Sequence, residues 1–191
     1  MSYTVVLDAC VLVPMPLCDT LLRLAEEPAT YIPLWSQQIL LEVGGALERK
    51  LNRTAFQQRR RIEAMQGAFP EAEVGVPANL ARAITCVPDP NDRHVVAAAI
   101  SGSADAIVTF NVKHFPPECT QQYGFVCRTP DQFLVRQFHL NPELVLERLD
   151  FQAAALGQQR SFVMERLENM VPTFTGLVEL GIAGAEEQRG I

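Results

Sequence analysis

The stretch that most constrains the fold of this 191-residue chain is residues 87–116, VPDPNDRHVVAAAISGSADAIVTFNVKHFP. Its first part predicts a turn into a helix, because a residue before proline avoids helical geometry, while Asp and Asn cap free N–H groups. We predict a buried helix over residues 93–100, since nearly every position is small or apolar. The apolar residues 106–110 predict a parallel strand that ends at polar Asn111. Ligands bind at such strand ends in open α/β sheets, so a site is expected here.

The N-terminus predicts a second strand with a polar end. Residues 4–8, TVVLD, form a β-branched run that ends in Asp8. Residues 9–16 are expected to form a loop, and residues 17–26 have the apolar spacing of an amphipathic helix. Asp8 is therefore expected at the same sheet edge as the helix mouth that carries Asp92.

A third carboxylate, Glu42, lies inside a predicted helix. Residues 31–35 predict a strand whose Pro33 favours an edge position. Ser36 is expected to cap a helix over residues 37–51, in which Glu42 has apolar neighbours. A partly buried Glu needs a partner or a metal. The alternative is a solvent-facing ion pair with a base such as Arg49.

Residues 52–69 predict the next helix, with a capping box formed by Thr54 and Gln57. This helix carries the basic run Arg59-Arg60-Arg61. A solvated helix face and a surface beside the site that follows phosphates are both open interpretations. The formal net charge of −6 argues against a large nonspecific nucleic-acid surface but leaves room for a local one.

The rest of the chain predicts a change from α/β to helical structure. After a loop over 116–122, residues 123–128 predict a last strand, and Thr129 and Pro130 begin a helix. Further helices are expected over residues 141–156, 161–170 and 173–182. We therefore predict an α/β domain over residues 1–138 and a helical C-terminal extension, 139–191, packed on it.

Other features of the sequence predict the cellular location of the chain and the state of its cysteines. No apolar run approaches the roughly 18 residues of a membrane span, and no basic leader is visible, so a cytoplasmic location is expected. The five cysteines have neither CxxC pairs nor metal-ligand spacing, so reduced thiols are expected rather than a disulfide framework or a zinc site.

The three acids Asp8, Glu42 and Asp92 have one common chemical explanation. Clustered carboxylates raise each other's pKa unless a cation lies among them, and hard oxygen donors select Mg²⁺ or Mn²⁺. Such a metal can activate water and neutralise a leaving oxygen in phosphodiester hydrolysis. A dinucleotide-binding site lacks support because residues 9–16 contain no glycine. An aspartyl phosphatase would need a second acid where Cys10 stands.

Four segments together resemble the PIN-domain family, specifically the branch of VapC-like toxins: VVLDACVLVP, SQQILLEVGGAL, DPNDRHVVAAAI and ADAIVTFNVKHFP. The resemblance covers roughly residues 3–135. It implies a three-layer, doubly wound, mostly parallel sheet with helices on both faces. It also implies cleavage of single-stranded RNA with Mg²⁺ or Mn²⁺, by the toxin of a toxin–antitoxin pair.

The resemblance also assigns roles to residues. Asp8, Glu42 and Asp92 match the acidic metal ligands, and Thr109 matches a hydroxyl beside the first aspartate. Asn111 stands where many members have a fourth acid, which puts a second metal in doubt. Asp89 is either a backup ligand or a turn residue.

Four basic residues are expected to contact RNA phosphates, or else to be plain surface residues: Arg59, Arg60, Arg93 and Lys113. His94 and His114 flank the site in the same way, and no histidine base is expected.

Two questions stay open at the level of sequence. A PIN-like module that binds RNA or protein without cleavage is the alternative function, with Asn111 as the sign of a weakened site. The apolar residues of 139–191 either form a packed helical hairpin or offer a groove or homodimer surface for an antitoxin helix.

Overall fold

The computed structural model describes the backbone of residues 3–189 and the side chains of residues 3–181. Four strands are present in this part of the chain: β1 (Thr4–Leu7), β2 (Ile32–Leu34), β3 (Ala106–Val108) and β4 (Val126–Arg128). The α-helices are α1 (Ala9–Leu12), α2 (Met15–Leu24), α3 (Gln37–Leu51), α4 (Ala55–Ala68), α5 (Leu80–Ala83), α6 (Arg93–Ser101), α7 (Pro117–Gln122), α8 (Pro130–Leu140), α9 (Pro142–Ala155), α10 (Arg160–Leu167) and α11 (Pro172–Arg189). Short 3-10 turns cover Pro90–Asp92 and Val112–His114.

The strands form one parallel sheet in the order β2-β1-β3-β4. Strand β1 pairs with both β2 and β3, so the direction of winding reverses between β1 and β3. Val5, Val6 and Leu7 have no exposed surface, and all of β3 is buried, so both faces of the central strands are covered. The predicted α/β fold with a parallel sheet is confirmed, and Pro33 does lie on an edge strand.

Two compact units make up the described chain. The first combines the chain up to Pro14 with Tyr31–Thr129, and the second combines Met15–Thr30 with the chain from Pro130 onward. The first unit contains the sheet, and its core includes the fully buried Trp35, whose ring meets Phe69 edge-on at 6.1 Å between centroids. The domain boundary predicted between residues 138 and 139 stays a prediction.

Local capping explains where several helices of the first unit begin. The Ser36 hydroxyl accepts a hydrogen bond from Ile39 N, which starts α3 where the sequence predicts it. Thr54 and Gln57 form both bonds of the predicted capping box at the start of α4. Asn52, between these helices, takes the left-handed conformation that ends α3.

Two segments expected as loops are helical instead. Residues 9–12 form α1, because Asp8 O accepts from Val11 N at 3.1 Å and the side chains of Val11 and Leu12 are fully buried. Residues 117–122 form α7, where Cys119 and Thr120 are buried. In both cases burial decides the conformation of a segment too short to show helical periodicity.

The second unit is helical, formed by α2 and α8 to α11. Asp131 accepts hydrogen bonds from Thr173 N and Phe174 N, so a side chain of α8 caps α11. Thr20 Oγ1 donates to Gln152 Oε1 at 2.7 Å in its interior. Most of the predicted apolar set of the extension is core here, namely Leu144, Val145, Leu149, Val163, Leu167 and Val171. Phe151 and Leu156 are exposed.

The cysteines differ from the sequence expectation. Cys86 and Cys119 are joined in a disulfide that closes a loop over a separation of 33 residues. The expectation of reduced thiols is therefore wrong for this pair, because folding brings their Cα atoms to 5.3 Å, within the usual range for a disulfide. Cys10, Cys18 and Cys127 take no part in a disulfide.

Within the described residues, no helix combines the length and hydrophobicity needed to cross a bilayer.

Candidate active site

Asp8 and Thr109 meet where the winding of the sheet reverses. Asp8 follows β1 and Thr109 follows β3, and each backbone N–H extends the ladder, Asp8 N to Val108 O and Thr109 N to Arg128 O. Thr109 Oγ1 donates to Asp8 Oδ2 at 2.5 Å, and Asn111 N donates to Thr109 Oγ1 at 3.0 Å. Asp8 is 8% exposed and Thr109 is fully buried, so the hydroxyl fixes the orientation of a nearly buried carboxylate. This edge is the usual ligand position of an open α/β sheet.

Cys10 lies against the same carboxylate. Its Sγ is 3.1 Å from Asp8 Oδ2 and 3.3 Å from Thr109 Oγ1, and it accepts a hydrogen bond from Phe110 N. Burial, together with the charge of Asp8, raises the pKa of the Cys10 thiol to about 12. The thiol is therefore protonated at neutral pH and acts as a weak donor to Asp8 rather than as a nucleophile.

Asp92 enters the site from the mouth of α6. Asp89 accepts a bond from Asn91 N at 2.9 Å and so caps the turn Pro90–Asp92, in agreement with its turn interpretation. The side chain of Asp92 makes no capping bond and lies instead 2.8 Å from His114 Nδ1. Burial raises the pKa of the Asp92 carboxyl, opposed by the hydrogen bond and charge of His114 and assisted by the charges of Asp89 and Asp8. The charge of Asp8 therefore acts on the Asp92 carboxyl, and it raises the pKa of that group less than burial does.

Glu42 has its own partner on α6. Its Oε1 lies 2.8 Å from His94 Nε2 and 3.4 Å from Gln38 Nε2. Burial would raise the pKa of the Glu42 carboxyl, but His94, Gln38 and the charge of Arg49 lower it below the usual value. The partial burial expected from the sequence is thus compensated by a histidine two residues beyond Asp92.

The predicted RNA-binding residues have different environments. Arg59, Arg60 and Lys113 are exposed. Arg93 Nε donates to Val87 O at 3.2 Å, which ties part of its guanidinium to the turn before Asp92. Arg61, the third arginine of the basic run, donates to the carbonyls of Leu12 and Val13 and so holds the end of α1. One arginine of the run is therefore structural and two face solvent.

The donor chemistry of the site fits a hard divalent cation. Asp8 and Asp92 contribute carboxylate oxygens, and the charge of Asp8 adds to the burial that raises the pKa of Asp92. The described residues from Tyr3 to Gly181 nevertheless contain no group of three or more His, Cys, Asp or Glu side chains arranged to hold a metal. Glu42 and Asp92 each direct one carboxylate oxygen to a histidine, and the three-acid cluster stays a prediction.

Sequence reasoning missed the roles of His94, His114 and Cys10. The histidines were expected only as flanking residues, yet each contacts a predicted acid across a separation of 52 or 22 positions. Such pairs arise between elements and leave no periodic signal within one segment. Cys10 carried a weak signal, since a residue two positions after a strand-end aspartate tends to share its environment.

Removing the Thr109 hydroxyl is expected to break the hydrogen bonds that orient Asp8 without leaving a cavity in the core. Thr109→Val keeps the volume but removes the donor to Asp8 and the acceptor for Asn111 N. We expect a loss of about 1–3 kcal/mol in the free energy of unfolding, measured by urea denaturation. Thr109→Ser retains the hydroxyl and serves as the matched control. Equal stability of the valine and serine variants would contradict this role of the hydroxyl.

The raised pKa of Asp92 predicts how stability changes with pH in EDTA. Because the folded state holds this proton more tightly than the unfolded state, the contribution of Asp92 to the free energy of unfolding is greatest below the ordinary carboxyl pKa. It is lost as the pH rises through the raised value. Asp92→Asn mimics the protonated form, so its stability relative to wild type is expected to increase from pH 4 to pH 7. Urea unfolding across this range tests the expectation. A free energy of unfolding that rises with pH more in the wild type than in Asp92→Asn would contradict it.

Two comparisons relate this chain to known proteins. A family model described as PIN domain matches residues 4–113, more than half of the chain. A protein of Mycobacterium tuberculosis (strain ATCC 25618 / H37Rv) named "Putative ribonuclease VapC50" is 46% identical to this chain over 52 residues. That alignment covers 27% of this chain and 31% of the relative, so the chain matches less than a third of the relative's length.

Proposed function

The chain belongs to the PIN-domain family, and we propose that it is an endoribonuclease that uses Mg²⁺ or Mn²⁺ to hydrolyse phosphodiester bonds in single-stranded RNA. The observation that carries the proposal is the nearly buried carboxylate of Asp8 at the reversal of the sheet. Asp8 is fixed there by Thr109, and Asp92 responds to the charge of Asp8. The ribonuclease name of the partial relative supports the same reaction class.

We assign the cation to the oxygens of Asp8 and Asp92, with Asn111 as a neutral ligand and Glu42 as the third carboxylate. When bound, a divalent cation would supply a Lewis acid that neutralises phosphate charge and makes water more acidic. Thr109 keeps Asp8 oriented for this role, as His114 does for Asp92. Glu42 would bind with its second oxygen or exchange its His94 contact. With Asn111 in place of an acid, the donor charge suits one cation better than two.

RNA would approach this edge through the basic residues around it. We propose that Arg59, Arg60, Arg93 and Lys113 contact phosphates, which fixes the strand without reading its sequence. Arg59, Arg60 and Lys113 are exposed and available for such contacts. The acidic net charge limits this surface to a local patch.

The biological role that we propose is the toxin of a type II toxin–antitoxin pair in the cytoplasm. An antitoxin protein would then be the regulatory partner, and a homodimer is the proposed assembly. Exposed Phe151 and Leu156 in the second unit are candidates for such contacts.

A non-cleaving PIN-like module that binds RNA or protein is the second candidate function. It is favoured by neutral Asn111 and by the histidine contacts of Glu42 and Asp92, which already satisfy one oxygen of each acid. Both candidates use the same surface, so cleavage itself distinguishes them.

The test is cleavage of a labelled single-stranded RNA by the full chain, freed of any co-purified small protein, in Mg²⁺ or Mn²⁺. We expect cleavage that EDTA abolishes. Asp92→Asn is expected to lose activity by at least about tenfold, because a ligand charge is removed. Asp89→Asn is the matched control, since Asn can accept the same turn bond from Asn91 N and activity should persist.

Absence of cleavage by folded wild-type protein at saturating metal would favour the binding-module function. An equal loss of cleavage activity in Asp89→Asn and Asp92→Asn would contradict the assignment of Asp89 as a turn residue and of Asp92 as a metal ligand. Cleavage that survives EDTA would rule out the metal-dependent mechanism.

A further inference from the structure

A pocket of about 630 Å³ opens in the first unit beside Glu42. We call it the α3 pocket. Its walls come from the start of α3, from the segment 73–78, from α5 and from the turn before α6. Its lining includes Gln37, Gln38, Leu41, Val76, Ala81 and Asn91. The volume lies within the range of about 300–1,000 Å³ that is usual for small-molecule sites.

The α3 pocket adjoins the candidate active site. The Glu42–His94 pair forms part of its wall, and Asn91, also in the wall, directly precedes Asp92. A group held in the pocket is therefore a neighbour of two of the three proposed acidic ligands. This position suits the part of a substrate next to the reacting phosphate.

The walls determine what kind of group can bind there. Gln37, Gln38 and Asn91 present amides, each with a donor and an acceptor, and these are the groups that pair with the edges of nucleobases. Leu41, Val76 and other apolar residues supply surface for the faces of a planar ring.

The charges of the walls exclude a phosphate. The residues that line the pocket include the carboxylates Glu42 and Glu73 and neither lysine nor arginine. An anion would be repelled, whereas a neutral base with amino or ring N–H donors would find acceptors. The phosphates of the RNA therefore belong outside the pocket.

Resting on the proposed function, we infer that the α3 pocket binds an unpaired nucleobase of the RNA substrate and thereby selects the phosphodiester that is cut. Single-stranded RNA suits this arrangement because its bases can turn out of a stack and offer their hydrogen-bonding edges to protein. The aspartate site performs the reaction, and the α3 pocket sets its register along the strand.

The binding test uses the full chain in EDTA with short labelled RNAs, each carrying one abasic nucleotide at a different position. For wild type, we expect one abasic position to weaken binding by about tenfold, measured by fluorescence anisotropy. Ala81→Phe fills the pocket, so it should bind intact RNA about tenfold more weakly and show no further loss at that abasic position. Gln37→Ala, an exposed truncation, should give a smaller loss in the same direction.

Ala83→Phe is the matched control, since it lies on the same helix, is exposed and does not line the pocket. Thermal unfolding shows whether each variant remains folded. Wild-type affinity of folded Ala81→Phe for every RNA would overturn the inference, and so would uniform losses with no special abasic position. If α5 does not accept the larger side chain of Ala81→Phe, the abasic series on wild type and Gln37→Ala decides alone.

Cleavage in Mg²⁺ separates this inference from the proposed function. A shifted pattern of cut positions in Ala81→Phe supports both. Cleavage by wild type with an unchanged pattern in Ala81→Phe overturns the pocket alone. If wild type never cleaves RNA but still binds more weakly at one abasic position, the nuclease proposal is overturned and the inference of a base-binding pocket is retained.

Discussion

Asp8→Asn is expected to lower the rate of RNA cleavage by about 10³-fold or more, which corresponds to roughly 4 kcal/mol of transition-state stabilisation. The variant retains nearly the same shape, and its amide oxygen can still accept the Thr109 hydroxyl that now bonds the carboxylate. What is lost is the charge at the centre of the site. Folding should be kept or improved, because one of several mutually repelling carboxylates is removed.

A second measurement on Asp8→Asn does not depend on activity. The charge of Asp8 contributes, after burial, to the raised pKa of about 12 for both the Cys10 and Cys127 thiols. Without this charge, both thiols should react faster with iodoacetamide in the folded protein. Activity near the wild-type level in Asp8→Asn would refute the assigned site. Unchanged alkylation rates would contradict an influence of the Asp8 charge on these thiols.

The parts of the fold that could be predicted from sequence depend on local patterns. Apolar runs that end in polar residues located β1 and β3, and the rule for strand ends then brought Asp8 and Thr109 to one edge. Capping residues predicted helix starts equally well, since Ser36 and Thr54 begin α3 and α4 through hydrogen bonds within one turn. These signals are complete within a few neighbouring residues.

The features that were missed depend on contacts between distant segments. His94 reaches Glu42 from another helix, and Cys86 reaches Cys119 across α6 and β3. Burial stabilises α1, a helix of four residues that is too short to show helical periodicity in the sequence. In the same way, the grouping of Met15–Thr30 with the C-terminal helices joins segments that are a hundred positions apart in the sequence. The acids could therefore be named from sequence, but the partners that tune them could not.

Removing the disulfide is the largest change in stability that we expect. The double variant Cys86→Ala/Cys119→Ala should lose about 3–4 kcal/mol in the free energy of unfolding, because a loop of this length no longer restricts the unfolded chain. For a chain of this size, the melting temperature should fall by about 10 °C. Urea and thermal unfolding of the oxidised wild type, the reduced wild type and the double variant measure the effect. Cys127→Ala removes a free thiol and is the control.

The closed loop contains both Asp92 and His114, so its loss also concerns the site. The reduced protein should keep the folded structure at low temperature and lose RNA cleavage on warming before the oxidised protein does. Alkylation in urea without reductant should label three of the five cysteines, and reduction should expose the other two. In a reducing compartment such as the predicted cytoplasm, the less stable form would be the working one. Five labelled cysteines without reductant, with identical unfolding curves, would contradict the bond and its contribution together.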